Sequence, residues 1–224
     1  MTFKLKCPPL IRRRERSTLT PWGWGVAIAI VMTILGMVFG SLYPFLAAIE
    51  PLPEAEILVV EGWLPDYALE AALAQFDRGN YRQLVTTGLP LARGSYLVEY
   101  RDFATLAAAT LAAVGADRDR LVAVPGPAVM KDRTYASAVA LREWSIATGT
   151  EVRAIDLISL GPHTRRSWLL FQLALSEIDV SVGAIAVEPM DYDPQRWWKS
   201  SAGVRSVISE AIAYLYARFF QGTI

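Results

Sequence analysis

The chain reads as an α/β protein: a parallel sheet of about five strands with helices on both faces, preceded by one N-terminal transmembrane helix. Three observations lead there. Short, mostly apolar runs suited to buried strands recur from Ile57 onward. Each is followed by a turn and then by a segment of helical periodicity, the alternation that calls for a parallel sheet covered on both faces. Ahead of them, the stretch from Ser17 to Ile49 carries no charged residue.

Taken in order, residues 1–19 are basic, with Lys4, Lys6, Arg12, Arg13, Arg14 and Arg16 against Glu15. Residues 20–46 are predicted to span a membrane. The apolar core from Gly25 to Leu42 approaches the ~20 residues a bilayer requires, with Trp22 and Trp24 at one end and Tyr43 and Phe45 at the other. A cleaved signal peptide would have a shorter apolar region and a small-x-small site, for which Leu46-Ala47-Ala48-Ile49 is a poor match. The expectation is an uncleaved signal anchor in the inner (plasma) membrane, its basic flank cytoplasmic and everything after Glu50 exported. Residues 47–54 read as a short linker stiffened by Pro51 and Pro53, and residues 55–224 as the globular α/β domain.

Strands are expected to begin near Ile57, Gln83, Leu121, Arg153 and Ser181. Between them lie five helical patterns. The first starts at Asp66 as an N-cap and runs through Phe76. The second carries a stripe of Leu97, Tyr100, Ala104, Ala107, Leu111 and Val114. The third follows Asp132 to about Ala147, and the fourth follows Gly161-Pro162. The last runs from about Gly203 to Phe219, after an irregular segment in which Trp197 and Trp198 are best read as core.

Composition removes several function classes. Lys plus Arg equals Asp plus Glu at 22 each and the pI is near 6.6, so nothing favours nucleic acid as a partner. One cysteine, Cys7, and one histidine, His163, exclude an intramolecular disulfide and the usual zinc sites. No metal and no cofactor is expected. There is no Gly-x-Ser-x-Gly elbow for acyl chemistry and no Gly-x-Gly-x-x-Gly after the first strand.

Right-handed crossovers place every strand C-terminus on one edge, where open α/β sheets bind ligands. That edge collects Glu61, Gly62 and Asp66, then Thr86, Thr87 and Gly88, then Asp132, Arg133 and Thr134. It also collects His163, Arg165 and Arg166, and Asp191 after the fifth strand. The candidate catalytic residues are His163, as general acid, general base or hydrogen-bond donor, and Glu61, which either activates a water or is a satisfied turn carboxylate. Candidate substrate-binding residues are Gly62, Asp66, Thr87, Gly88, Asp132, Arg133, Thr134, Arg165 and Arg166. Arginines at a helix start suit a phosphate. Neighbouring helical positions project ~100° apart, so Arg166 is the stronger of the pair. Alanine at His163 or Arg166 is expected to impair function with little effect on folding.

The ordered set Ile57-Leu-Val-Val-Glu-Gly62, Leu84-Val-Thr-Thr-Gly88, Thr134 within Asp132-Arg-Thr-Tyr-Ala-Ser137, and His163-Thr-Arg-Arg166 resembles the YdcF/SanA/ElyC family. It departs at Glu61-Gly62-Trp63, where the family has a glycine-rich turn, and at Ala136-Ser137, where Glu-Asn is common. The resemblance implies a Rossmann-like α/β/α domain, a membrane-anchored member, and a link to envelope integrity and lipid-carrier metabolism. Three functions are therefore weighed. The first is an envelope biogenesis factor that binds or processes an anionic phosphorylated or glycan-linked lipid. The second is a nucleotide- or S-adenosylmethionine-type binder. The third is a non-catalytic partner of other envelope proteins.

Overall fold

The structure is a computed structural model that describes residues 19–92 and 99–220; the basic stretch up to Arg16 and Leu97 of the second helical stripe lie outside these. The chain divides after Gly40 into two units. The first consists of most of α1 (Pro21–Leu46), whose last residues, from Ser41, count with the second unit. With a mean hydropathy of 2.3 over its most apolar window, α1 is the one helix among the described residues long and apolar enough to cross a membrane. Its 26 residues reach about 39 Å, more than the ~30 Å hydrocarbon core.

The second unit is a six-stranded sheet: β1 (Ile49–Glu50), β2 (Ile57–Glu61), β3 (Gln83–Gly88), β4 (Leu121–Pro125), β5 (Ala154–Leu160) and β6 (Ser181–Val187). The spatial order is β1-β6-β5-β2-β3-β4, parallel except for β1. The five parallel strands begin within one residue of the positions expected from the sequence. β1 was not expected: Ile49 and Glu50 pair antiparallel with Ile185 and Ala184 of β6. The proline linker is likewise fastened to the sheet, because the Leu52 amide donates to buried Asp156 of β5 at 2.8 Å, and the Tyr81 hydroxyl donates to the same carboxylate at 2.7 Å.

Alternate residues of each strand face opposite helical layers. Leu58, Val60, Leu84 and Ile158 pack against α2 (Asp66–Arg78) and α3 (Phe103–Ala113). Ile57, Val59, Val85, Val124, Ile155 and Leu157 pack against α4 (Arg133–Thr148) and α5 (His163–Leu175). A third, smaller core joins Tyr43 and Leu46 to Tyr192, Trp197 and Val207 of α6 (Ser201–Phe220). Trp197 is buried as expected, whereas Trp198 is exposed.

The helix α3 begins later than its sequence stripe suggested, at Phe103, because Asp102 caps it: its carboxylate accepts from the Thr105 amide at 2.8 Å. Tyr100 therefore precedes the helix. The first turn of α3 is held on the sheet edge, with the Thr86 hydroxyl donating to the Ala104 carbonyl at 2.8 Å. That approach leaves no space at two glycines. A Cβ on Gly62 would overlap the Phe103 carbonyl, and one on Gly88 would lie 2.8 Å from the Ala104 nitrogen. Gly62→Ala is accordingly expected to destabilise the protein by about 1–3 kcal/mol through forced backbone shifts. Thermal unfolding of the purified chain measures this, and an unchanged midpoint would show that α3 is not so tightly seated.

Candidate functional site

In this strand order β2 is the central reversal point, with β3 on one side and β5 on the other. Crevices at such switch points, outside the strand C-termini, are where open α/β sheets take ligands. A cleft of about 1010 Å³ opens here. Glu61, at the end of β2, and His163, at the start of α5, stand on either side of the reversal.

Glu61 is 3% exposed. Its side chain leaves the sheet on the α4/α5 face, as do those of Thr87 beside it in register and Ser159 on β5. The carboxylate accepts from the Ser159 hydroxyl and, at 3.1 Å, from the Ser167 hydroxyl of α5. His163 Nε2 lies 3.7 Å from Glu61 Oε1, an ion-pair distance too long for a hydrogen bond. Burial alone would raise the carboxyl; the facing imidazolium and the two hydroxyls outweigh it and hold Glu61 below the usual carboxylate range.

On its other side His163 meets a residue absent from the sequence-based set. Glu210 of α6 places Oε1 2.9 Å from His163 Nδ1, and it accepts from Arg166 Nε at 2.9 Å and Nη2 at 3.2 Å. Arg166 Nη2 also lies 2.9 Å from His163 Nδ1. A bare Nδ1 accepting from Arg166 would point its lone pair at Glu210 as well, so the consistent assignment has Nδ1 protonated. Both cations then donate to one carboxylate. Burial disfavours the imidazolium, but Glu61 and Glu210 outweigh it and lift His163 to about 9. Burial likewise works against the Glu210 carboxylate, and His163 and Arg166 hold it down at about 2. His163 is therefore charged at neutral pH. Its Nε2–H is buried and makes no hydrogen bond within the protein. The Trp63 ring leans edge-on against it at 4.9 Å.

This geometry makes His163 a charged link between the Glu61 and Glu210 carboxylates. Both oxygens of Glu61 are engaged by hydroxyls, and its charge faces the His163 ring. Thr87 is buried next to Glu61, with Oγ1 unbonded and its carbonyl accepting from the Gly62 amide at 2.6 Å. Gly88 lines the cleft, whereas Gly62 serves the packing under α3. Asp132, Arg133 and Thr134, at the start of α4, also line the cleft. Asp132 occupies the N-cap position of α4 in left-handed backbone, φ 56° and ψ 36°, without its carboxylate accepting from the helix amides.

Gly62 and Thr87 are not among the residues that line the cleft, and three further expected residues lie elsewhere. Asp66 is exposed and not among the cleft residues, because α2 starts on the sheet face opposite α5; Pro65, not Asp66, is its N-cap. Arg165 turns away by the helical angle. Its Nε donates at 2.7 Å to the Phe45 carbonyl, and its guanidinium covers the rings of Phe45 and Trp168. It thus satisfies a terminal carbonyl of α1. Asp191 is exposed and also outside the cleft. Arg166 faces the cleft, but its fork is committed to Glu210. The open cationic side chains are Lys131 and Arg133 on the rim.

Leu89, Phe103, Leu170, Ile212, Ala213 and Tyr216 give the cleft an apolar share of its lining. Among the described residues no group of three or more His, Cys, Asp or Glu side chains is arranged to hold a metal ion. The sequence matches no protein-family model and no curated protein.

Proposed function

We propose that the chain is a membrane-anchored envelope biogenesis or integrity factor of the YdcF/SanA/ElyC type. Its exported α/β domain binds or processes an anionic amphiphile, a phosphorylated or glycan-linked lipid. The observation that carries this reading is the mixed lining of the cleft: four cations (Lys131, Arg133, His163 and Arg166), three carboxylates (Glu61, Asp132 and Glu210) and six apolar residues (Leu89, Phe103, Leu170, Ile212, Ala213 and Tyr216) border one cavity. A ligand with a charged head and a hydrocarbon body matches both kinds of lining. Lys131 and Arg133 contact the anion, His163 adds positive charge behind them, and the apolar lining residues receive the first part of the chain. The basic residues Arg12 to Arg16 favour a cytoplasmic N-terminus, which puts the cleft on the exported side.

The switch-point location also suits the second reading, a nucleotide- or S-adenosylmethionine-type ligand. Against it stands the missing Gly-x-Gly-x-x-Gly after β2.

Native mass spectrometry of the full chain purified in mild detergent tests the proposal. Anionic lipids or lipid-linked glycans should be retained by the wild type. They should fall about tenfold or more in Arg133→Glu, since a charged hydrogen bond typically contributes 1.5–3 kcal/mol and here becomes a repulsion. Equal retention by both proteins, or retention of a nucleotide instead, would contradict it.

A further inference from the structure

The apolar lining that α6 gives the cleft does not end there. Along this helix Gly203, Val207, Glu210, Tyr214 and Ala217 are buried or half-buried. On the other side Ile208, Ile212, Leu215, Tyr216 and Phe219 form a second stripe at helical spacing, and it is exposed: Ile212 is 65% and Phe219 68% accessible. The two sides meet at Ile212 and Tyr216, which belong both to the cleft and to the exposed stripe. A contiguous apolar face of this kind marks a surface that is covered by something other than water.

What covers it follows from what packs on the inward side of the same helix. Tyr43 and Leu46, in the last turn of α1, share a core with Val207. The Phe45 ring stands edge-on to Tyr214 at 5.4 Å. The only described helix able to cross a bilayer thus ends against α6, and a helix that crosses a bilayer emerges from it at its end. Phe219 lies only five residues beyond Tyr214, about 7.5 Å of helix rise. Arg205 and Arg218, both exposed, flank the stripe where lipid phosphates would lie.

We propose that the Ile208–Phe219 stripe is seated in the lipid interface beside the emerging end of α1, so that the cleft opens onto lipid at Ile212 and Tyr216. The seating stands on the packing alone. The further step, that a lipid-borne ligand enters the cleft from the bilayer, rests on the reading given under Proposed function.

The test uses the full chain with Cys7→Ser as background, reconstituted into vesicles of phosphatidylcholine and phosphatidylglycerol. A polarity-sensitive fluorophore is attached at Leu215→Cys, at Phe219→Cys or, as control, at Asp119→Cys. Asp119 is exposed just before β4, at the opposite edge of the sheet. Lipids brominated on their acyl chains should remove most of the emission at 215 and 219 and leave 119 unchanged, while aqueous iodide should do the reverse. Iodide quenching at all three positions would overturn the seating. So would label-to-label quenching at 215 and 219 that ignores brominated lipid, which would make a second copy of the chain the occupant. Neither readout depends on a ligand in the cleft. Lipid contact combined with unchanged retention in Arg133→Glu would leave the seating in place and reject the ligand assignment.

Discussion

Glu61→Ala is expected to destabilise the α/β unit by about 3–5 kcal/mol, the cost typical of breaking a buried ion pair from one side. The variant leaves the His163 imidazolium without one of its two carboxylates, and the Ser159 and Ser167 hydroxyls without their acceptor. His163 should then titrate lower than in the wild type, since the charge opposing its desolvation is halved. Glu61→Gln keeps the volume and one acceptor oxygen, and should cost less while lowering His163 in the same direction. Denaturant unfolding of the detergent-solubilised chain gives the stability, and loss of under 1 kcal/mol in the alanine variant would show that the carboxylate is not buried and paired as described.

His163→Ala is expected to change how stability depends on pH. A histidine lifted from 6.5 to about 9 on folding contributes stabilisation that is fully present below pH 6.5 and is lost as the pH rises toward 9. The size of that contribution is up to ~3 kcal/mol. Glu210, held down from 4.5 to about 2, works in the opposite sense. Its share is present above pH 4.5 and disappears as the pH falls toward 2. The wild type should therefore be most stable between about pH 4.5 and 6.5 and weaken on the alkaline side. His163→Ala should lack the alkaline fall and, with Glu61 and Glu210 left facing each other, should be less stable throughout that window. Unfolding midpoints measured from pH 5 to 9.5 decide this, and parallel profiles for the two proteins would contradict it. The expectation from the sequence alone, that alanine at His163 or Arg166 spares folding, changes accordingly: both side chains hold the half-buried carboxylate Glu210.

The contrast between what the sequence carried and what it did not has a physical origin. Each parallel strand is a short apolar run between breakers, and a parallel sheet then dictates which edge its C-termini share. Glu61, Gly88, Asp132, Arg133, Thr134, His163 and Arg166 followed from that rule and line one cleft. The rule does not say on which face of the sheet a helix departs, so Asp66 was grouped with an edge from which α2 carries it away. Nor does it reveal which neighbour on a helix turns inward, which separates Arg165 from Arg166. Glu210 depends on α6 docking against α5, a contact between elements far apart in sequence. A local signal exists in the lone acid of the helix, three residues after Val207, but nothing local marks which side of the helix turns inward. Ser159, a hydroxyl inside the strand Ala154–Leu160, was hidden by its hydrophobic neighbours in the same way. β1 is two residues long and owes its pairing to β6, leaving no pattern to detect.

Because His163 is the protein's only histidine, its imidazole can be followed without assignment by labelling histidine alone with carbon-13 and recording its ring signal by NMR across pH. Held between Glu61 and Glu210, the ring should be fully protonated at pH 7 and titrate near 9, with both Glu61→Gln and Glu210→Gln moving the midpoint down. A midpoint at or below 6.5 in the wild type would mean that the carboxylates do not enclose the ring and that the cleft lacks the buried positive charge on which its proposed anion binding draws.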